Sequence, residues 1–230
     1  MTNTVSHSVR AGAMHQPLLT PRSPPLLGTR LIGRRSTPAG HLLPSVYLLI
    51  GDELSAREEV QMLRRAAELV RNRVIPPFLA VALPKLDCYE LSNAVAYVDA
   101  NFPTLREPRG RTLIGVGGPA VETLASGIQS ASLFGVLEAW NSAPCDPCLP
   151  RLFALLHEQA KPNLTQRVFL STASFDARDE AVSIEIADEL SRTRRPYAHW
   201  SGPRSSAAPW WLPQLPRALS FALRGAPWPA

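Results

Sequence analysis

The sequence predicts an α/β fold in which a mostly parallel sheet lies between layers of helices. Short apolar runs rich in strand-forming residues alternate with longer segments whose apolar residues recur at helical spacing. Regular alternation of this kind favours parallel strands joined by right-handed helical crossovers. The chain has 230 residues, of which 45% are hydrophobic, so it is long enough to bury the core that such a sheet needs.

Three ranges are expected from the composition along the chain. Residues 1–40 contain many Pro, Ser, Arg and Gly residues without a lasting period, which predicts a poorly ordered arm with one strand around Leu26–Ile32. Residues 41–225 carry the regular alternation and are expected to form a single domain. Residues 226–230 are expected to be a tail.

The first half of the domain is predicted to contain three strands and two helices. SVYLLIG is a short apolar run ended by glycine, as in a strand buried on both faces. The segment after it has apolar residues at helical spacing and charges on the opposite face. The predicted ranges are strand Ser45–Gly51, helix Leu54–Val74, strand Ile75–Pro84, helix Cys88–Phe102 and strand Arg111–Val116.

The alternation continues to the C-terminus, and no internal repeat is visible. SLFGVLEAWNS is predicted to be a strand that ends in a polar loop. The predicted ranges of the second half are helix Val121–Gln129, strand Ser132–Ser142, helix Leu149–Ala160, strand Arg167–Ser174, helix Asp179–Thr193, strand Tyr197–Gly202 and helix Leu212–Gly225.

Charge and hydropathy argue against several classes of protein. The chain has 24 basic and 19 acidic residues, but the arginines are scattered and no basic run is interleaved with aromatic residues, so no nucleic-acid partner is predicted. No run of 18 apolar residues is present, so no membrane partner is predicted. The N-terminal segment lacks the apolar region of a signal peptide, which predicts a cytoplasmic location. Three cysteines, an odd number, do not suggest a disulfide framework.

The stretch RTLIGVGGPAVETLA, residues 111–125, carries the most informative motif. A buried-strand pattern runs into Gly115-Val116-Gly117-Gly118, and a helical pattern follows at once. This is the strand, tight turn and helix of the nucleophile elbow G-x-S-x-G of serine hydrolases. Glycine, Gly117, stands where that motif has its serine.

Several phrases in order resemble the esterase family of the α/β-hydrolase superfamily that includes enterochelin esterases, the esterase D group and the mycolyltransferase-like proteins. SVYLLIGDE, IPPFLAVALP and AYVDANFPTLREPRGRTLIGVGG resemble its early strands and its elbow segment. SLFGVLEAWNSA, RVFLSTASFD and WWLPQLPRALSFAL resemble its later strands and terminal helix. The resemblance covers about Pro38 to Leu223 and implies an α/β-hydrolase-like three-layer sandwich with a mostly parallel central sheet.

The resemblance also implies a catalytic apparatus that has lost its nucleophile and base. The elbow is Gly115, Gly117 and Gly118, and Gly117 has no side chain with which to form an acyl-enzyme. The family's histidine falls on or near Ser206, and no histidine follows Gly202. His199 is the alternative base, although its position within the last strand is also typical of a packed histidine.

The acid of the triad has a matching residue. Asp176 follows the RVFLSTASF strand, with Asp179 and Glu180 as shifted alternatives. An acid orients a histidine and does nothing without one, and an aspartate at this place is also typical of a helix cap. PKLDCYE, residues 84–90, replaces the long loop that helps to build the family's acyl pocket. The serines that could serve as a nucleophile outside the elbow are Ser126, Ser130, Ser171 and Ser174.

Cys145 and Cys148 form a CxxC motif before a predicted helix. Such a pair could act as a redox dithiol, with one thiolate stabilised by the helix N-terminus, or supply half of a zinc site with Cys88 and His157. Cys145 could also act as a nucleophile with His157 as its base. An ordinary helix-capping loop is the simplest interpretation, so neither a metal nor a cofactor is predicted.

Four tryptophans, Trp200, Trp210, Trp211 and Trp228, cluster near the C-terminus. Tryptophan often anchors partners, so Trp210, Trp211 and Trp228 are predicted to form an aromatic surface for a protein partner or a second copy of the chain, although core packing explains the cluster as well. A small molecule in the former active-site pocket is the alternative ligand.

Two function hypotheses follow. The first is a catalytically degenerate esterase-like protein that acts as a binding, scaffold or regulatory subunit. The second is a repurposed enzyme of cyclase, lyase or isomerase type that acts in the former esterase pocket through His199, Asp176 or the CxxC pair.

Overall fold

The computed structural model describes residues 29–32, 42–52, 54–83, 88–144, 147–160, 165–173, 177–202 and 209–226, with the backbone alone for 29–32 and 88–90. Within these ranges a seven-stranded sheet has the order β1-β3-β2-β4-β5-β6-β7. Strand β1 is antiparallel to β3, and every other neighbouring pair is parallel. The strands are β1 (Thr29–Ile32), β2 (Ser45–Ile50), β3 (Phe78–Leu83), β4 (Arg111–Val116), β5 (Val136–Trp140), β6 (Arg167–Thr172) and β7 (Tyr197–Ser201).

Six α-helices alternate with these strands in the described ranges, and a short 3₁₀ helix covers Pro108–Gly110. The α-helices are α1 (Ala56–Arg71), α2 (Cys88–Asn101), α3 (Ala120–Gln129), α4 (Cys148–Glu158), α5 (Ala177–Arg192) and α6 (Leu215–Ala222). None of the described helices is long and apolar enough to cross a membrane.

The sheet lies between two hydrophobic cores, which makes the three layers that the sequence predicts. Helices α1 and α6 pack on one face, where Trp140, Trp211 and Ile114 are buried. Helices α2 to α5 pack on the other face, where Tyr47, Leu113 and Leu124 are buried. The α/β-hydrolase-like prediction is therefore confirmed at the level of the sheet and its layers.

The strands form where the sequence has continuous apolar runs, because a parallel strand in the centre of such a sheet is covered on both faces. All six residues of β4 are buried, and so are all five of β5. Strand β5 is shorter than predicted and starts at Val136. A side chain at Gly135 would lie 2.7 Å from the Pro108 carbonyl oxygen, so the 3₁₀ segment occupies the space just before the strand.

Local signals set the helix ends. Helix α1 starts two residues later than predicted because Ser55 forms a capping box with Glu58: the Glu58 N–H donates to Ser55 Oγ, and the Ser55 N–H donates to the Glu58 carboxylate. The predicted strand in the N-terminal arm is present as Thr29–Ile32, and it pairs with β3 at one edge of the sheet.

Candidate functional site

The elbow turn lies at the carboxyl end of β4, near the centre of the sheet. Gly117 has a φ of +71°, a conformation that glycine adopts at little cost. The Gly117 N–H donates to the Trp140 carbonyl oxygen at 2.8 Å, and the Gly117 carbonyl accepts from the Ala120 N–H at 3.0 Å, where α3 begins. The strand, tight turn and helix that the motif predicts are therefore all formed.

Gly115 allows α3 to pack directly on β4. A β-carbon at this position would lie 2.5 Å from Thr123 Oγ1 and 2.7 Å from the Ala120 α-carbon. Both distances are far below van der Waals contact, so only glycine fits while the helix keeps its place. The G-x-S-x-G motif likewise forms a sharp turn between a strand and a helix.

The remaining elbow positions differ from the motif in ways that bear on chemistry. Gly117 supplies no hydroxyl, and Pro119 stands where the motif ends in glycine. Pro119 has no N–H to donate, and its carbonyl accepts both the N–H and the hydroxyl of Thr123, at 2.8 and 2.7 Å. Gly118 is exposed next to the turn, and its backbone N–H follows the nucleophile position.

Asn141 and Ser142, beside the elbow at the end of β5, were not singled out from the sequence. Asn141 has a φ of +49°, which a non-glycine residue adopts rarely. Its Oδ1 accepts the Ala173 N–H at 2.8 Å and its N–H donates to the Ser171 carbonyl, so it ties the end of β5 to the end of β6. The signal in the sequence was a polar Asn-Ser pair directly after a buried strand.

Ser142 carries a hydroxyl that is buried without a hydrogen-bond partner in the described part of the chain. The register places it near the elbow, because Val116 pairs with Trp140 and Gly117 bonds to that residue's carbonyl. Ser142 is therefore the described serine to test first for reactivity at this edge of the sheet. Ser171, the other serine at this edge, has an equally buried and unpartnered hydroxyl.

His199 lies at the far edge of the sheet from the elbow turn. Strand β7 is separated from β4 by β5 and β6, and at about 4.8 Å per strand interval its backbone is roughly 14 Å away. The His199 side chain is exposed on the face where Ser201 Oγ donates to Glu180. Partial desolvation lowers the pKa of His199, against the opposing effect of Glu180. This geometry does not bring His199 within hydrogen-bond distance of Gly117.

Only some of the other predicted acid and base residues lie within the described part of the chain. Asp176 and Ser206 lie outside the described residues. Asp179 and Glu180 lie in the first turn of α5, where carboxylates are favourable near the helix N-terminus. Of the alternative serines, Ser126 and Ser130 lie on the side of the sheet that α3 covers, and Ser174 is outside the described residues.

Cys148 begins α4 and is disulfide-bonded, which the odd cysteine count did not predict. The side chains of Cys88 and Cys145 are outside the described residues. His157 lies nine residues further along α4, about 13.5 Å at helical rise, and its Nε2 is 2.6 Å from the buried carboxylate of Glu189. His157 therefore contacts Glu189 and does not lie beside Cys148. Among the described residues, no group of three or more side chains could hold a metal ion.

The C-terminal tryptophans that the structure describes differ in burial. Trp211 is 2% exposed and packs in the core under α6, so its assignment to a partner surface is wrong. Trp210 and Trp200 are half-buried, and Trp228 lies outside the described residues. Trp200, Trp210 and Trp211 all pack in or against the core on the α1 and α6 face of the sheet.

Glu138 is a fully buried acid that sequence analysis did not single out. It lies in the middle of β5, and its Oε2 accepts the Trp140 Nε1–H at 2.8 Å. Desolvation raises the pKa of Glu138 well above its ordinary value, although the Trp140 hydrogen bond and the charge of Arg167 act in the opposite direction. The carboxyl group therefore holds its proton more tightly than an exposed glutamate does.

Comparison with known proteins supports the fold. No protein-family model matches the chain, and no curated protein matches its sequence. Among solved structures, a ferulic acid esterase matches with a TM-score of 0.66 and 13% identity, over 85% of this chain and 91% of that one. The Staphylococcus aureus fluorophosphonate-binding serine hydrolase F, solved with bound substrate, matches with a TM-score of 0.64 and 13% identity, over 85% and 92%.

The enterobactin esterase FES from Shigella flexneri also matches, with a TM-score of 0.62 and 13% identity, over 77% of this chain and 52% of that one. At these identities the likeness concerns the fold and not the activity. The chain has the α/β-hydrolase-like fold that these esterases and serine hydrolases share.

Proposed function

We propose that this protein is a pseudo-hydrolase: an esterase-like domain without serine-esterase activity that acts as a binding, scaffold or regulatory subunit. The observation that carries the proposal is Gly117. It occupies the elbow turn with a φ of +71° and the hydrogen bonds of an intact turn, but it has no side chain. Covalent acyl transfer at an elbow needs a hydroxyl or thiol at this position.

The surroundings of Gly117 support the same proposal. A serine nucleophile needs a histidine base within hydrogen-bond distance. The described histidines are His157, which is bound to Glu189, and His199, which is about three strand intervals away. Pro119 further removes one backbone N–H from the start of α3. Nucleophile, base and turn sequence therefore depart together from what hydrolysis requires.

Labelling with a fluorophosphonate probe tests the proposal, because such probes react covalently with activated serines. We expect no labelling of the full chain above the background of the same protein after denaturation. Ser142→Ala is the informative variant, since Ser142 is the buried serine nearest the elbow in the register. Stoichiometric labelling of the wild type would contradict the proposal, and its loss in Ser142→Ala would identify Ser142 as the nucleophile.

A further inference from the structure

The positive charge of the chain is concentrated in its C-terminal part. The sequence has 24 basic and 19 acidic residues. No Asp or Glu follows Glu189, whereas six arginines do. The residues up to Glu189 are therefore nearly balanced, with 18 basic against 19 acidic side chains. The whole excess of positive charge belongs to residues 190–230, which contain the end of α5 as well as β7 and α6.

Three arginines stack on two aromatic rings at this end of the molecule. The guanidinium carbon of Arg167 lies 4.9 Å from the centroid of the Phe221 ring, and that of Arg224 lies 5.8 Å from the same ring. The guanidinium carbon of Arg217 lies 5.8 Å from a Trp200 ring. We refer to these five residues as the arginine–aromatic face.

The arginine–aromatic face lies where α6 meets β6 and β7. Arg217 and Phe221 are four residues apart in α6, so they lie on one side of the helix, and Arg224 follows two residues after the helix ends. Phe221 also packs against Phe169 of β6, with ring centroids 5.3 Å apart, and this contact fixes α6 on the sheet. Arg217 and Arg224 are exposed, and Arg167, Phe221 and Trp200 are half-buried.

The charges of the arginine–aromatic face are not neutralised within the described residues. None of its three arginines forms a salt bridge there, whereas six other arginines each pair with a carboxylate: Arg65, Arg71, Arg109, Arg111, Arg151 and Arg192. Glu138 acts on Arg167 and raises its pKa, whereas burial raises the pKa of Glu138 itself. Desolvation and the neighbouring charge of Arg224 both lower the pKa of Arg167.

Stacking on a ring holds a guanidinium in one orientation and leaves its N–H edge for a ligand. Carboxylates are the natural ligands of such an edge, because they accept two parallel hydrogen bonds from arginine. The two guanidiniums on Phe221 are less than about 11 Å apart, since each lies within 6 Å of the same centroid. Several carboxylates on one extended segment could meet the face at this spacing.

We propose that the arginine–aromatic face binds an acidic polypeptide segment of a partner protein. This inference rests on the binding function proposed above and supplies the chemistry of its partner. A nucleic acid fits less well, because duplex binders commonly contact about 6–10 phosphates and the two rings are already covered by guanidiniums instead of being open to bases.

Fluorescence anisotropy with a labelled oligo-glutamate peptide tests the proposal on the full chain at low ionic strength. The double variant Arg217→Gln/Arg224→Gln removes the two exposed charges of the face. Arg65→Gln/Arg109→Gln is the matched control, because it changes the net charge equally but removes arginines that already have carboxylate partners. We expect the first variant to weaken binding about tenfold and the control to change it less than about twofold.

Three outcomes would overturn the proposal: no binding of the peptide to the wild type, equal weakening in both variants, or tighter binding of duplex DNA that depends on the same two arginines. Circular dichroism of both variants checks that they remain folded. Fluorophosphonate labelling of a serine in the wild type would be a result separate from peptide binding. It would contradict the non-catalytic function while leaving peptide binding intact, so the two failures can be distinguished.

Discussion

Replacing Gly115 by alanine tests the close packing of α3 on β4 that forms the elbow. The new β-carbon would lie 2.5 and 2.6 Å from Thr123 side-chain atoms and 2.7 Å from the Ala120 α-carbon. Ordinary carbon contacts are about 3.5–4.0 Å, so α3 must move by roughly 1 Å because the Ala120 contact is with backbone. Overpacking of this kind costs about 1–3 kcal/mol, and the reduced entropy of the unfolded chain returns about 0.4–1 kcal/mol.

We therefore expect Gly115→Ala to lower the free energy of unfolding by about 1.3 kcal/mol, the difference between the midpoints of these two ranges. Urea unfolding followed by tryptophan fluorescence measures it, with the m-value as the check that the transition remains two-state. Gly127→Ala is the matched control. The three atoms nearest its β-carbon would be the methyl groups and γ-carbon of Leu137, at 2.3 to 3.2 Å. These belong to the end of a side chain, which can shift, and alanine gains about 1 kcal/mol in a helix. Equal stability of the two variants would refute this reasoning.

Three further predictions use the same assay or mass spectrometry. Ser55→Ala should lower the free energy of unfolding by about 1 kcal/mol, because it removes the N-cap of α1. An unchanged unfolding midpoint would contradict the capping box. Glu138→Gln should make the free energy of unfolding fall less steeply above about pH 4.3, the ordinary pKa of glutamate. The raised pKa of Glu138 in the folded protein contributes stability below that pH, and this contribution is lost as the pH rises through the folded value. An identical pH profile in the variant would show that Glu138 is not buried as a neutral acid. Alkylation of the denatured, unreduced chain should modify one of its three cysteines and alkylation after reduction all three; modification of all three without reductant would contradict the disulfide at Cys148.

The sequence predicted the fold because the strands of a buried parallel sheet are continuous apolar runs, which stand out from amphipathic helices such as α1. It also predicted the elbow, since the Gly115 to Gly118 pattern encodes both the close approach of α3 and the positive φ at Gly117. Both features depend on residues that are close together in the sequence, so a single sequence can reveal them.

The less predictable features depend on packing between distant segments. Trp211 is buried and Trp210 is half-buried against the same core, a difference that no pattern in PWWLP records. Glu138 looked like one residue of an apolar strand, but its burial beside Trp140 is a tertiary arrangement. The arginine–aromatic face likewise joins β6, β7 and α6, whose residues are far apart along the chain.

The most direct test of the central claim is the hydrolysis of an activated aryl ester by the wild type and by Gly117→Ser. The variant places a hydroxyl at the elbow but supplies no base, since His199 lies about three strand intervals away. The account predicts that both proteins show only the background rate of the buffer and that the introduced serine is not labelled by a fluorophosphonate. A saturable rate in the wild type would contradict the loss of the nucleophile, and one that appears only in Gly117→Ser would show that a base stands at the elbow after all.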